Sequence, residues 1–123
     1  MYQKEIEAIE QLITNYFQGI FQGNIELLAQ CFQDNTLIYG DIKGKDYLKN
    51  VPDYLEGVQS RKSPKDLKES FAMKIIGIDI MSKIAMAKLH VPMLGYNYYD
   101  YLSLSKINGN WKIVNKIFTH VEQ

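Results

Sequence analysis

The sequence predicts an α+β fold in which a curved antiparallel sheet wraps a long N-terminal helix, with two further helices beside it. Three observations carry this expectation. Apolar residues recur at helical spacing through the first twenty-odd positions, residues from Leu67 onward are dominated by strand-forming runs, and Asn108-Gly109 separates two of those runs as a hairpin turn. Helices gathered first and antiparallel strands later indicate α+β, and a sheet curved over the first helix would bury its apolar stripe and leave a cavity at the open end.

In the first helix, Ile6, Ile9, Ile13, Tyr16, Phe17, Ile20 and Phe21 draw one stripe over residues 3–22, with Glu5, Glu7, Glu10 and Gln11 on the opposite side. Gly23 stops it. Asn24 caps a second helix from Ile25 to Phe32, whose buried side is Leu27, Leu28, Cys31 and Phe32. After the turn chemistry of Gln33-Asp34-Asn35 comes a short strand, Thr36 to Tyr39. A loop from Gly40 to Gly44 leads to a third helical stretch, Lys45 to Gln59, which Pro52 breaks or kinks. Residues 60–65, with Arg61-Lys62-Ser63-Pro64-Lys65, read as a solvated surface connector.

Phe71 to Ile80 is a long strand whose apolar phase slips near Gly77, the mark of a bulge. Ile84 to Val91 is the next, and Pro92 ends it or places it at an edge. In the closing hairpin, Tyr98, Asp100, Leu102 and Leu104 share one face of the first strand. Strict alternation puts Trp111, Ile113, Asn115, Ile117 and Thr119 on one face of the second, and Lys112, Val114, Lys116, Phe118 and His120 on the other. The more apolar faces thus hold an acid and an amide, Asp100 and Asn115, as a polar-lined pocket would. Tyr99, Tyr101, Val114 and Phe118 fall on the outer faces, more aromatic surface than a solvated sheet carries, and a two-fold sheet-to-sheet dimer would cover it.

Composition narrows the function. The 123 residues suit one domain, residues 1–123, with a single core. Fourteen basic residues balance fourteen acidic ones, so no net field favours nucleic acid or an anionic membrane. Arg61 is the only arginine, which argues against recognition of phosphate or carboxylate by a guanidinium fork. One cysteine, Cys31, excludes an intrachain disulfide, and no apolar run is long enough to span a bilayer, so a cytoplasmic protein is the expectation. Two histidines, His90 and His120, on polar strand faces and one cysteine on an apolar helix face offer no metal site, and no cofactor motif occurs.

A helix ending Tyr-Phe-x-x-Ile-x-x-Gly-Asn, then Leu-Ala-x-Cys-Phe, and a closing Gly-x-Trp-Lys-Ile-Val-Asn-Lys-Ile-Phe together resemble the NTF2-like superfamily, in the branch called lumazine-binding or SnoaL-like. The resemblance spans nearly the whole chain and implies an α+β cone around a pocket, often dimeric. Superfamily members include enzymes, binders and scaffolds, so the fold does not name a reaction. Against one characterised relative, ketosteroid isomerase, Tyr16 aligns with the oxyanion tyrosine and Asp100 with the protonated aspartate. Tyr39 stands where that enzyme has its base, and Asp41 would replace it only if its loop folded inward; a tyrosine is a poor base at neutral pH.

The candidate site is therefore Tyr16, Tyr39, Tyr98, Asp100 and Asn115 as ligand contacts, with Asp100 and Tyr16 as the catalytic candidates. The leading expectation is a small apolar or aromatic molecule bound in the cone cavity. The alternatives are an acid–base isomerase, cyclase or dehydratase with an Asp/Tyr oxyanion site, and a homodimeric scaffold with a vestigial pocket.

Overall fold

A computed structural model describes residues 2–122. The chain runs α1 (Tyr2–Gln22), α2 (Ile25–Cys31), β1 (Phe32–Ile42), β2 (Lys45–Asn50), α3 (Val51–Ser60), β3 (Lys74–Met81), β4 (Ile84–Met93), β5 (Tyr96–Ile107) and β6 (Asn110–His120). The strands form one curved sheet in the order β2-β1-β6-β5-β4-β3. Every pair is antiparallel except β1–β6, which is parallel. No hairpin links those two strands, so no turn dictates their relative direction.

α1 lays its stripe on the sheet: Ile9, Leu12, Ile13, Tyr16, Phe17 and Ile20 are buried, against Leu89, Leu102, Leu104, Trp111 and Ile113 from the strands. Trp111 packs at the start of α1, and its indole N–H donates to Glu5 at 3.2 Å. α2 crosses close to α1 at Gly19, where a Cβ would lie 2.9 Å from Leu28 Cβ. The closing hairpin turns as its sequence demands, with φ of 51° at Asn108 and 82° at Gly109. Among the described residues no helix is long and apolar enough to cross a membrane.

Three departures from the sequence reading shape the site. First, the stretch beginning at Lys45 is not helical throughout. Lys45–Asn50 is strand β2, paired with β1 from Ile42↔Lys45 to Leu37↔Asn50. The helix begins only at Val51, with Asn50 accepting from the Asp53 amide at 2.9 Å. Pro52 sits in its first turn, where an amide hydrogen has no intrahelical partner to lose, so the proline starts the helix instead of kinking it. Pairing with β2 and β6 likewise lengthens the expected four-residue strand to the eleven residues of β1.

Second, residues 60–65 are not a solvated connector throughout. Ser63 is 3% exposed, Pro64 is buried, and the Lys65 amide donates to the Phe21 carbonyl of α1 at 3.0 Å. This tether draws Arg61 against the body of the protein.

Third, β6 changes face in mid-strand. Leu104 pairs with Ile113 but Ser103 pairs with Asn115, so Val114 is an extra residue bulged out of the ladder. Before the bulge Trp111 and Ile113 point inward; after it Lys116 is buried while Asn115 and Ile117 face out. The bulge expected near Gly77 is also present, between Ile75 and Gly77. β4 runs on through Pro92 to Met93; β3 ends opposite His90, so Pro92 has a strand neighbour only on the β5 side.

Candidate functional site

Four elements converge on one buried polar cluster inside the cone. The α1 stripe brings in Tyr16, β5 presents Asp100 from its inner face, the β6 bulge turns Lys116 inward, and α3 supplies Tyr54. The Tyr16 hydroxyl donates to Asp100 Oδ2 at 2.6 Å. Lys116 Nζ lies 4.0 Å from the same oxygen and donates to Tyr54 Oη at 3.1 Å. Three rings surround the ammonium, with centroids at 4.5 Å for Tyr54 and 5.2 Å for both Tyr16 and Phe118. Such ring faces attract an ammonium group, and the Asp100 carboxyl adds a partner of opposite sign.

All of this is dry. Tyr16 has no exposure, Asp100 has 2% and Lys116 has 5%. Burial raises the Asp100 pKa above the usual carboxylate value, while Lys116 and the Tyr16 hydroxyl pull it back down. Burial, then the nearby Asp100 charge, pushes the Tyr16 hydroxyl well above the ordinary phenol range, so it stays a neutral donor.

Asp100 and Lys116 form one wall of a cavity of about 70 Å³, whose other walls include Tyr47, Tyr54, Arg61 and Tyr98. That volume is small beside the roughly 300–1,000 Å³ of typical ligand pockets. Phe118 forms a further part of the wall, with its ring edge-on to Tyr47 at 5.1 Å and to Tyr98 at 5.5 Å. Its ring lies over Gly40, an inward position two residues before the end of β1; a Cβ there would run into the Phe118 ring, so that position admits only glycine with the ring where it is. Burial pushes the Tyr47 hydroxyl up to about 12.

The structure therefore brings together Tyr16, Tyr98 and Asp100 and separates two other expected site residues from them. Tyr39 is 44% exposed on the outer face of β1, paired with Ile117. Asn115 is also on the outer side, its amide donating to the Leu37 carbonyl at 3.2 Å. Strict alternation puts Asn115 inside, and the extra residue at Val114 reverses that. Asp41 does not fold inward: its carboxylate accepts from the Gly44 amide at 2.9 Å and from the Thr119 hydroxyl at 3.3 Å, both in exposed settings. Phe118 belongs to the cavity and not to the outer face.

Lys116, Arg61, Tyr47 and Tyr54 are site residues that sequence reasoning missed. One signal was available for Lys116. Ile113 and Phe118 are both bulky and apolar but five residues apart, so both can point inward only across a one-residue slip.

The two histidines are not separate surface groups. His90 Nε2 lies 2.6 Å from Asn97 Oδ1, and the Asn97 backbone N–H donates to His120 Nδ1 at 2.9 Å. Among the described residues no cluster of three His, Cys, Asp or Glu could hold a metal ion.

A family model described as "Putative lumazine-binding" matches residues 4–119. The chain belongs to that family. Within solved structures it is similar to two NTF2-like proteins of unknown function. One, from Shewanella baltica, is 23% identical with a TM-score of 0.86, covering 100% of this chain and 98% of its own. The other, from Methylobacillus flagellatus, is also 23% identical with a TM-score of 0.87, covering 97% and 94%. These show that the chain shares the fold of those NTF2-like proteins. The aldolase FrzH of a Cladobotryum species is 25% identical over 117 residues, which are 93% of this chain and 90% of that protein.

Proposed function

We propose that this NTF2-like protein binds a small carbonyl-bearing molecule in the cone cavity, against Asp100 and Lys116. The observation that carries the reading is the buried Tyr16–Asp100–Lys116 cluster opening on a cavity with aromatic walls. A buried ionisable group at a cavity wall is costly for stability alone and useful to a polar ligand atom. The cavity volume restricts the ligand to a few non-hydrogen atoms unless Phe118 moves. The test is a thermal-shift and NMR titration with acetone, dihydroxyacetone and pyruvate. Stabilisation of the wild type together with shifts at Asp100 and Lys116 is expected; no response to any of the three would overturn the reading.

A second reading is acid–base catalysis on that ligand, favoured by the raised Asp100 pKa beside a fixed cation. Asp100, made more basic by burial, would take the proton α to the carbonyl, and the electron pair would move onto the oxygen facing the Lys116 ammonium. The resulting enolate could add to an aldehyde, its alkoxide taking a proton back, which is the class of reaction that the name of the FrzH relative denotes. Exchange of the ligand's α-hydrogens for deuterium, abolished in Asp100→Asn, is the expected signature.

We also infer a homodimer through the outer sheet face. A row of paired residues crosses that face from Leu48 through Tyr39 and Ile117 to Tyr101, each 43–59% exposed. Sedimentation of wild type against Ile117→Asp tests it, with a dimer expected only in the former.

A further inference from the structure

We propose that the cavity takes short-chain carboxylates, with Arg61 as the residue that receives the acid group. The proposal rests on the small-molecule reading above and names the ligand class. Arg61 follows α3 and is turned against the body of the protein by the tethered segment at Ser63 and Pro64. Its side chain lines the same cavity as Asp100 and Lys116. Among the described residues, its buried Nη2 has no hydrogen-bond partner and no carboxylate lies within ion-pair distance of it. Buried guanidinium nitrogens are ordinarily paired, because leaving such a donor unsatisfied forfeits its hydration with nothing in return. The missing element is an acceptor.

Charge points to the same conclusion. Two basic side chains, Lys116 and Arg61, face one carboxyl, Asp100, so the cavity holds an excess of one basic group. The tyrosines around them cannot cancel it at neutral pH, since burial keeps the Tyr47 and Tyr98 hydroxyls protonated. An anion of fork-compatible geometry satisfies both the charge and the orphaned donor. With about 70 Å³ at hand, the fitting anions are acids of a few carbons, and a 2-oxo acid would also set its carbonyl toward Lys116.

The experiment titrates wild type, Arg61→Gln and Arg61→Lys with acetate, acetamide, pyruvate and acetone, by NMR at neutral pH and constant ionic strength. In the wild type, acetate and pyruvate are expected to bind at least tenfold more tightly than acetamide and acetone. Arg61→Gln should lose at least tenfold in affinity for the acids and little for the neutral compounds, and Arg61→Lys should recover part of the loss. The comparison of acid with amide needs no variant, so it stands whether or not the substitutions fold. Equal affinity for acid and amide, or unchanged acid binding in a folded Arg61→Gln, overturns the proposal. If the neutral compounds bind and the acids do not, it falls while the small-molecule reading survives. If none binds, both fall.

Discussion

Tyr16→Phe removes one oxygen from the centre of the site and leaves the ring packing in place. The lost bond is a 2.6 Å donation to a buried carboxylate. Hydrogen bonds to charged groups contribute about 1.5–3 kcal/mol, so urea unfolding at pH 7 should show a loss of about 2 kcal/mol, roughly 6–10 °C in Tm for a chain of this size. The pH dependence is the sharper part. Burial raises the Asp100 pKa in the folded state, and the Tyr16 hydroxyl is one of two groups restraining that rise. A carboxyl whose folded pKa exceeds its unfolded value near 3.8 contributes stability that is complete below 3.8 and lost as pH climbs through the folded pKa. Removing Tyr16 lets the pKa rise further, so the gap between variant and wild type should be smallest in acid and widen toward neutrality. In an Asp100→Asn background the same substitution should cost about 1 kcal/mol at every pH, a coupling of about 1 kcal/mol. A gap that does not change with pH, together with additive double-mutant energies, would refute the idea that Tyr16 donates to an ionised Asp100.

Lys116→Met strands a buried Asp100 without its cation and should cost about 3–5 kcal/mol, whereas Asn115→Ala on the outer face should stay within about 1 kcal/mol; chemical denaturation of the two thus reads the face change at Val114 directly. Gly40→Ala drives a Cβ into the Phe118 ring, so Phe118 must swing away. The cavity should change shape, detectable as changed NMR shifts of Tyr47 and Tyr98, with a stability loss of about 1–3 kcal/mol from overpacking. Burial pushes the Cys31 thiol from 9.0 up to about 11. Its thiolate fraction near pH 8 should therefore fall about a hundredfold, and alkylation by iodoacetamide should be slow until the protein is unfolded.

Much of the fold is legible in the chain because its signals are local. The 3,4 spacing of Ile9, Ile13, Tyr16, Phe17 and Ile20 needs only a helix to become a stripe, and Asn108-Gly109 needs only a tight turn. The alternation of Tyr98, Asp100, Leu102 and Leu104 likewise put Asp100 on the inner face. Lys45–Asn50 was not legible as strand because its side chains remain largely exposed, and what makes it a strand is the ladder to β1. Pro52 can be read as a kink or a start, and only that ladder chooses between them.

The sequence by itself determined the α+β order and put Tyr16, Tyr98 and Asp100 on inward-facing sides of their elements, since periodicity and turn chemistry depend on neighbours along the chain. Tertiary structure decided the rest. The register of β5 against β6 forces the extra residue at Val114, which exchanges Asn115 for Lys116 on the inner face. The tether of residues 63–65 to α1 turns a lone arginine from a surface residue into a cavity wall. Both are long-range pairings, and a side chain's face in a sheet reverses with a single-residue shift in register.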